Sequence, residues 1–233
     1  MFWILRKFDW NYIASETAIV TIGVAMALAV DAWWQDRVDH TTESGYLQGL
    51  REDFTITASD LSQEVASSAE SMAAIDELVE LMNAGNANDR SEVLDLISRS
   101  FDTSVLRPVT TTYDDLVTSG NLGLLRNDDL RSALAGWSAQ LAIHRRFEDH
   151  ILFPHYLATD DFLMHNTRVP EELGNGLLND TRYEADTSTL LSDQTFRNLL
   201  LIRRGWIEAR STSLEELQER LIQVRRLLGA ESP

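Results

Sequence analysis

The chain has 233 residues, no cysteine and a formal charge of −17 at pH 7. That length suffices for one sizeable domain, and the charge excludes nucleic acid as a partner and disfavours anionic lipid surfaces, which such a domain repels. The absence of cysteine fits an oxidising and a reducing compartment equally.

Residues 1–11 form a short segment that carries Arg6 and Lys7 and reads as interfacial. From Thr17 to Val30 there is no charge, and only Thr17 and Thr21 are polar. Those residues alone span about 21 Å as a helix, short of a hydrocarbon core of about 30 Å. Extending the helix over residues 12–35 makes up the difference and puts Glu16 and Asp31 near its two ends. Trp3, Trp10, Trp33 and Trp34, four of the six tryptophans, flank the run. Indole rings concentrate at membrane–water interfaces, so these four read as anchors. A cleaved signal peptide fits less well, because Asp9 and Glu16 lie at its start and Asp-Ala-Trp-Trp, residues 31–34, stands where small residues suit a peptidase. A buried helix of a soluble core is the remaining alternative, against which the adjacent Trp33 and Trp34 argue. We therefore expect a transmembrane helix over residues 12–35.

Arg6 and Lys7 precede the span and acidic residues dominate after it, so the N-terminus is expected in the cytoplasm and the C-terminal domain outside it. Residues 38–233 hold 17 basic against 33 acidic groups, so nearly all the negative charge belongs to that domain.

Beyond the span, Leu47, Leu50, Phe54, Thr57, Leu61, Val65, Ser68, Met72, Ile75, Val79 and Met82 recur at steps of three and four. This spacing predicts an amphipathic helix, either continuous with the span or separate from it, packing in a bundle or as an intermolecular coiled coil. Asn83 to Asp89 is a turn, and Ser91 to Ser98 starts a second helix. Thr110 to Thr112 offer hydroxyls as an N-cap for a short helix that Gly120 ends. Asn127 caps a longer helix with Asp128 and Asp129 in its first turn, where the helix dipole favours carboxylates. Residues 165–188 read as a long surface loop. A last helix runs from about Ser192 to Leu228, with Leu214, Leu217, Leu221, Val224 and Leu228 at heptad spacing. The fold class is therefore all-α: one N-terminal transmembrane helix, then an acidic helical bundle over residues 36–233.

Glu16, Ile19-Val20, Ile22-Gly23, Ala27-Leu28 and Trp33, followed by Tyr46-Leu47, Leu50 and Asp53, make a first island of pattern. Tyr113-Asp114-Asp115-Leu116, Ser119-Gly120-Asn121-Leu122 and Asn127 to Leu130 make a second. Together they resemble a widespread family of bacterial single-span membrane proteins of unknown function. The resemblance implies a membrane-anchored helical protein in the bacterial inner membrane, and it supplies no activity.

His144, Glu148 and His155 fall on one helix face if the helix is regular, which would place two imidazoles and a carboxylate near a metal. Pro154 interrupts that regularity and the Glu-x-x-His spacing of di-iron bundles is absent, so hydrogen-bonded or solvated histidines are the expectation. No nucleophile motif or Gly-rich phosphate loop is present. We expect no enzyme and no cofactor.

The span carries more. Gly23, Ala27 and Asp31 step by four, a ridge of small residues that lets helices approach closely. Glu16 and Asp31 are charges at or near membrane depth, a functional signal unless both are solvated at the interface. Three readings follow. The first is a self-associating membrane scaffold or accessory subunit, in contact with the bilayer and with its own copies or another membrane protein. The second is an oligomeric cation pore with Glu16 and Asp31 as charged rings. The third is a ligand-binding bundle that signals through a partner.

Overall fold

The computed structural model describes residues 10–85, 89–101, 104–166 and 187–230. Among them every element is helical. Helix α1, Trp10–Ala84, is a single uninterrupted rod of 75 residues, about 112 Å long at roughly 1.5 Å per residue. No proline occurs before Pro108, so nothing in the sequence forces a break between the apolar stretch and the rest. The remaining elements are α2 (Arg90–Ser100), α3 (Thr111–Thr118), a 3₁₀ turn (Asn121–Leu124), α4 (Asp128–Phe147), α5 (Phe153–Asn166), α6 (Thr187–Ser192) and α7 (Gln194–Ala230). The bulk of the loop expected at residues 165–188 lies outside the described residues.

Hydrogen bonds fix the order of the bundle. Chain returning after α2 descends along α1 towards the apolar stretch: Ser71 Oγ donates to Arg99 O, Thr57 Oγ1 accepts from the Val109 amide and Asp53 accepts from the Thr112 amide. Tyr46 then donates to Asp115, and Glu43 accepts from the Arg126 amide. Helix α4 rises again beside α1, with Trp137 edge-on to Phe54 at a centroid distance of 4.8 Å. Helix α7 descends between them, pairing Arg204 with Asp76 at one end and Arg51 with the Leu228 carbonyl at the other.

Three heptad seams meet in the middle. On α1 the buried positions run Glu43, Leu47, Leu50, Phe54, Thr57, Leu61, Glu64, Ser68, Ser71, Ile75 and Leu78. On α4 they are Leu130, Leu134, Trp137, Leu141 and His144, with Glu148 continuing the line just past its end, and on α7 they run from Phe196 by the same three-four alternation to Leu228. Such spacing keeps one stripe of each helix facing its neighbours. Beyond Leu61 the seam departs from the sequence expectation. Val65, Met72, Val79 and Met82 are only half-buried, and Glu64, Ser71 and Leu78 take the central line.

Local caps follow the sequence in part. Asn127 caps α4 through the Leu130 amide, with Asp128 and Asp129 in the first turn. Gly120 sits at φ 74°, the left-handed conformation that stops α3. The Thr110 hydroxyl does not cap α3; it donates to Asp114, and the start of α3 is held by Asp53 of α1, 2.8 Å from the Thr112 amide. Gly49 makes this close approach workable, because a Cβ there would lie 2.8 Å from Thr112 Oγ1. Asp53→Ala is expected to cost about 1 kcal/mol, the usual worth of a cap. Urea unfolding of the full chain in mild detergent checks this, and an unchanged midpoint would show that the cap is replaced by water. The last helix begins where the sequence puts it, at Asp193, whose carboxylate caps α7 through the Thr195 and Phe196 amides; the turn and a half of α6 ahead of it is the addition.

Candidate functional site

The apolar part of α1 stands clear of the bundle. From Ser15 to Val38 every residue is exposed in the single chain, including Trp33 and Trp34 at 60% and 61%. One described helix, α1, is long and apolar enough to cross a membrane. Ser15 to Trp34 is 20 residues, about 30 Å of helix, which matches a hydrocarbon core. Thr21 donates its hydroxyl to the Thr17 carbonyl at 2.7 Å, satisfying within the helix the one hydroxyl in mid-span. Gly23, Ala27 and Asp31 form an open ridge, and a Cβ at Gly23 would meet nothing within 4 Å. Glu16 and Asp31 are likewise exposed, about 22 Å apart along the axis. Trp10 begins α1, whereas Trp3 lies outside the described residues.

Just past Trp34 the bundle takes hold of α1. Arg126, arriving from the 3₁₀ turn, places Nη2 2.5 Å from Asp36, contacts His40 through Nη1 and gives its amide to Glu43 at 2.7 Å. Asn121 donates to the Tyr46 hydroxyl at 3.0 Å. Tyr46, Leu47, Leu50 and Asp53 from the first motif island thus form the surface on which the second island, residues 113–130, docks.

Halfway up the bundle lies a group that sequence reasoning missed. Arg210 of α7, only 5% exposed, bonds Glu148 just past the end of α4 at 3.0 Å, Glu64 of α1 at 2.8 Å, the Ser68 hydroxyl at 3.0 Å and the Ser104 carbonyl at 3.0 Å. His144 is fully buried beside it, with Nδ1 3.0 Å from the Ser213 hydroxyl and Nε2 3.2 Å from Glu148 Oε1, off the line of a good hydrogen bond. Burial pushes the Glu148 carboxyl up, but the His144 imidazole and the Arg210 guanidinium outweigh it and hold its pKa below the ordinary value. Burial likewise opposes the charge on Arg210, and the two carboxylates more than restore it. One heptad along α7, Arg203 is 1% exposed, donates to the Ser100 carbonyl and sits 5.0 Å and 4.9 Å from the Phe101 and Tyr156 rings. The polar layer separates two apolar clusters, one around Leu50, Trp137 and Leu221, the other around Ile75, Leu96 and Leu200.

The residues considered as metal ligands are placed differently from a regular helix. Residues Glu148–Leu152 form a π turn, in which the Phe153 amide reaches back to the Glu148 carbonyl, directly ahead of Pro154. Proline lacks an amide hydrogen and its ring crowds the carbonyl four residues back, and the wider turn relieves both. The turn changes the phase of α5. His144 and Glu148 stay together at Arg210, while His155 comes under the charge of Arg203, which with burial lowers its pKa. Among the described residues no group of three or more His, Cys, Asp or Glu side chains is placed to hold a metal ion.

A groove of about 380 Å³ lies between α3 and α4, with Tyr113, Trp137, Arg145, Arg146 and His150 along it. No protein family, curated protein or solved structure matches the chain. The likeness to the bacterial membrane-protein family therefore rests on the two motif islands.

Proposed function

We propose that this protein is a non-enzymatic single-pass membrane protein whose span self-associates and whose stiff α1 carries an acidic helical domain as a scaffold or accessory subunit. The carrying observation is the continuity of α1: its stretch from Ser15 to Trp34 is bare around its whole circumference and uncharged from Thr17 to Val30, and the same helix supplies the central seam of the bundle. In water such a surface is unfavourable at roughly 25 cal/mol per Å² of apolar area, so lipid or other spans are its natural surroundings. With the N-terminus in the cytoplasm, residues 38–233 stand outside the bacterial inner membrane. A helix without a proline or a loop between span and domain holds that domain at a fixed height and orientation.

Gly23, Ala27 and Asp31 supply the contact between copies, where backbones approach and packing replaces the missing hydrophobic drive. Glu16 and Asp31 then sit at the two rims of that contact. Gly23→Ile is expected to lower association of full-length protein in mild detergent, read by native mass spectrometry, by about tenfold, the effect of roughly 1.4 kcal/mol. Association unchanged by the substitution would remove the ridge from the interface.

A further inference from the structure

Arg37 is the one cation in the first turns beyond the span, and the helix leaves it bare. Its neighbours at three and four residues in each direction are Trp33, Trp34, His40 and Thr41, none of them a carboxylate. Among the described residues its guanidinium has no hydrogen-bond or ion-pair partner; only its backbone carbonyl is used, by the Thr41 hydroxyl. Asp36, the nearest acid, is engaged by Arg126 at 2.5 Å, and Asp39 by Gln35 at 2.9 Å. In a chain of −17, two carboxylates close in sequence are thus bound elsewhere while this arginine is left over.

Its height and its surroundings point the same way. Trp33, Asp36, Arg37, His40, Thr41 and Ser44 line a groove of about 490 Å³ along one face of α1, and the Asp36 carboxylate there is paired with Arg126. Trp33 marks the hydrocarbon edge, and four residues further on Arg37 lies about 6 Å higher, within the 5–8 Å or so that a polar headgroup layer adds on each side. Helical side chains lean towards the N-terminus, which turns Arg37 back over the tryptophans and not up into the domain.

We propose that Arg37, with the Trp33 indole beside it, binds the phosphate of a zwitterionic phospholipid headgroup. A guanidinium matches phosphate oxygens with paired N–H donors, and the ring packs on the glycerol region with its N–H towards water. The acidic domain above disfavours a lipid of net negative charge, so a headgroup that carries its own ammonium is the fitting occupant. The site fixes how deep the span sits, and it rests on the reading of residues 15–34 as a membrane span.

The test uses full-length protein in phosphatidylethanolamine nanodiscs, released into mild detergent for native mass spectrometry of retained lipid, with alkaline carbonate extraction of membranes in parallel. Arg37→Gln is expected to retain about tenfold less phospholipid, as loss of a charge-assisted contact implies, while Arg37→Lys keeps most of it and both variants resist extraction. Retention by Arg37→Gln equal to wild type overturns the site while leaving the span intact. Extraction of the wild type by carbonate overturns the membrane reading itself. Saturation by inorganic phosphate in detergent, with displacement of lipid, would show an anion site for free phosphate and would overturn the lipid assignment.

Discussion

Replacing Arg210 with methionine is expected to destabilise the folded chain by about 3–5 kcal/mol, the cost of removing one partner from a buried ionic group. The guanidinium is 5% exposed and reaches both Glu64 and Glu148, so its loss leaves two carboxylates in a layer with only hydroxyls and His144 to face them. Surface pairs such as Arg204 with Asp76 set the contrast, since double-mutant measurements of exposed pairs give about 0.2–1 kcal/mol. Urea unfolding of full-length protein in mild detergent, followed by circular dichroism, gives the comparison directly. A loss for Arg210→Met no larger than for Arg204→Met would show that water enters the layer. The triple variant Arg210→Met, Glu64→Leu, Glu148→Leu is expected to recover the loss, because a well-packed apolar layer is often as stable as the ionic one it replaces. Recovery would assign the layer to register and not to strength. Three seams with one repeat can slide by a heptad, and only one alignment brings Arg210 level with both carboxylates.

This layer also marks where the sequence ceases to be readable. The α7 heptad was legible from Leu214 to Leu228 because leucine and valine announce a seam. Its continuation through Arg210 and Arg203 was not, since arginine in a helix is ordinarily a surface residue. The same holds at Glu64 beside Val65: apolarity does not pick the buried one of two adjacent positions when the partner that compensates a charge lies 146 residues away. The available signal was periodicity itself, extended upward from Leu214 in steps of three and four without regard to side-chain type. Local features fared better where they depend on local chemistry, as with Asn127 capping α4 and Gly120 ending α3. The cap of α3 is not legible locally, because the carboxylate that accepts from its Thr112 amide belongs to α1, 59 residues earlier. The apolar stretch was legible because its composition is uniform, and its continuity with the bundle helix follows from the lack of proline.

Trp137→Ala is expected to cost a further class of stability, about 3–5 kcal/mol for a large buried aromatic. Trp137 lies between Leu134 and Leu141 on the α4 seam and meets Phe54 edge-on, an arrangement that adds about 0.5–1.5 kcal/mol beyond area. Unlike Arg210, it sits in the apolar cluster nearest the span, where α3 and the turn at Asn121 are fastened to α1. The cavity left behind therefore loosens the part of the bundle that steadies α1 just beyond its apolar stretch. Trp137→Phe keeps most of the volume and is expected to lose less than half as much. The same unfolding experiment separates the outcomes, and hydrogen exchange locates them. Faster exchange confined to residues 43–61 and 111–141 would show that the polar layer insulates the two clusters from each other. Equal acceleration around Ile75 and Leu96 would show one cooperative unit running the length of the rod, and the proposed scaffold role requires the rod to behave as one piece.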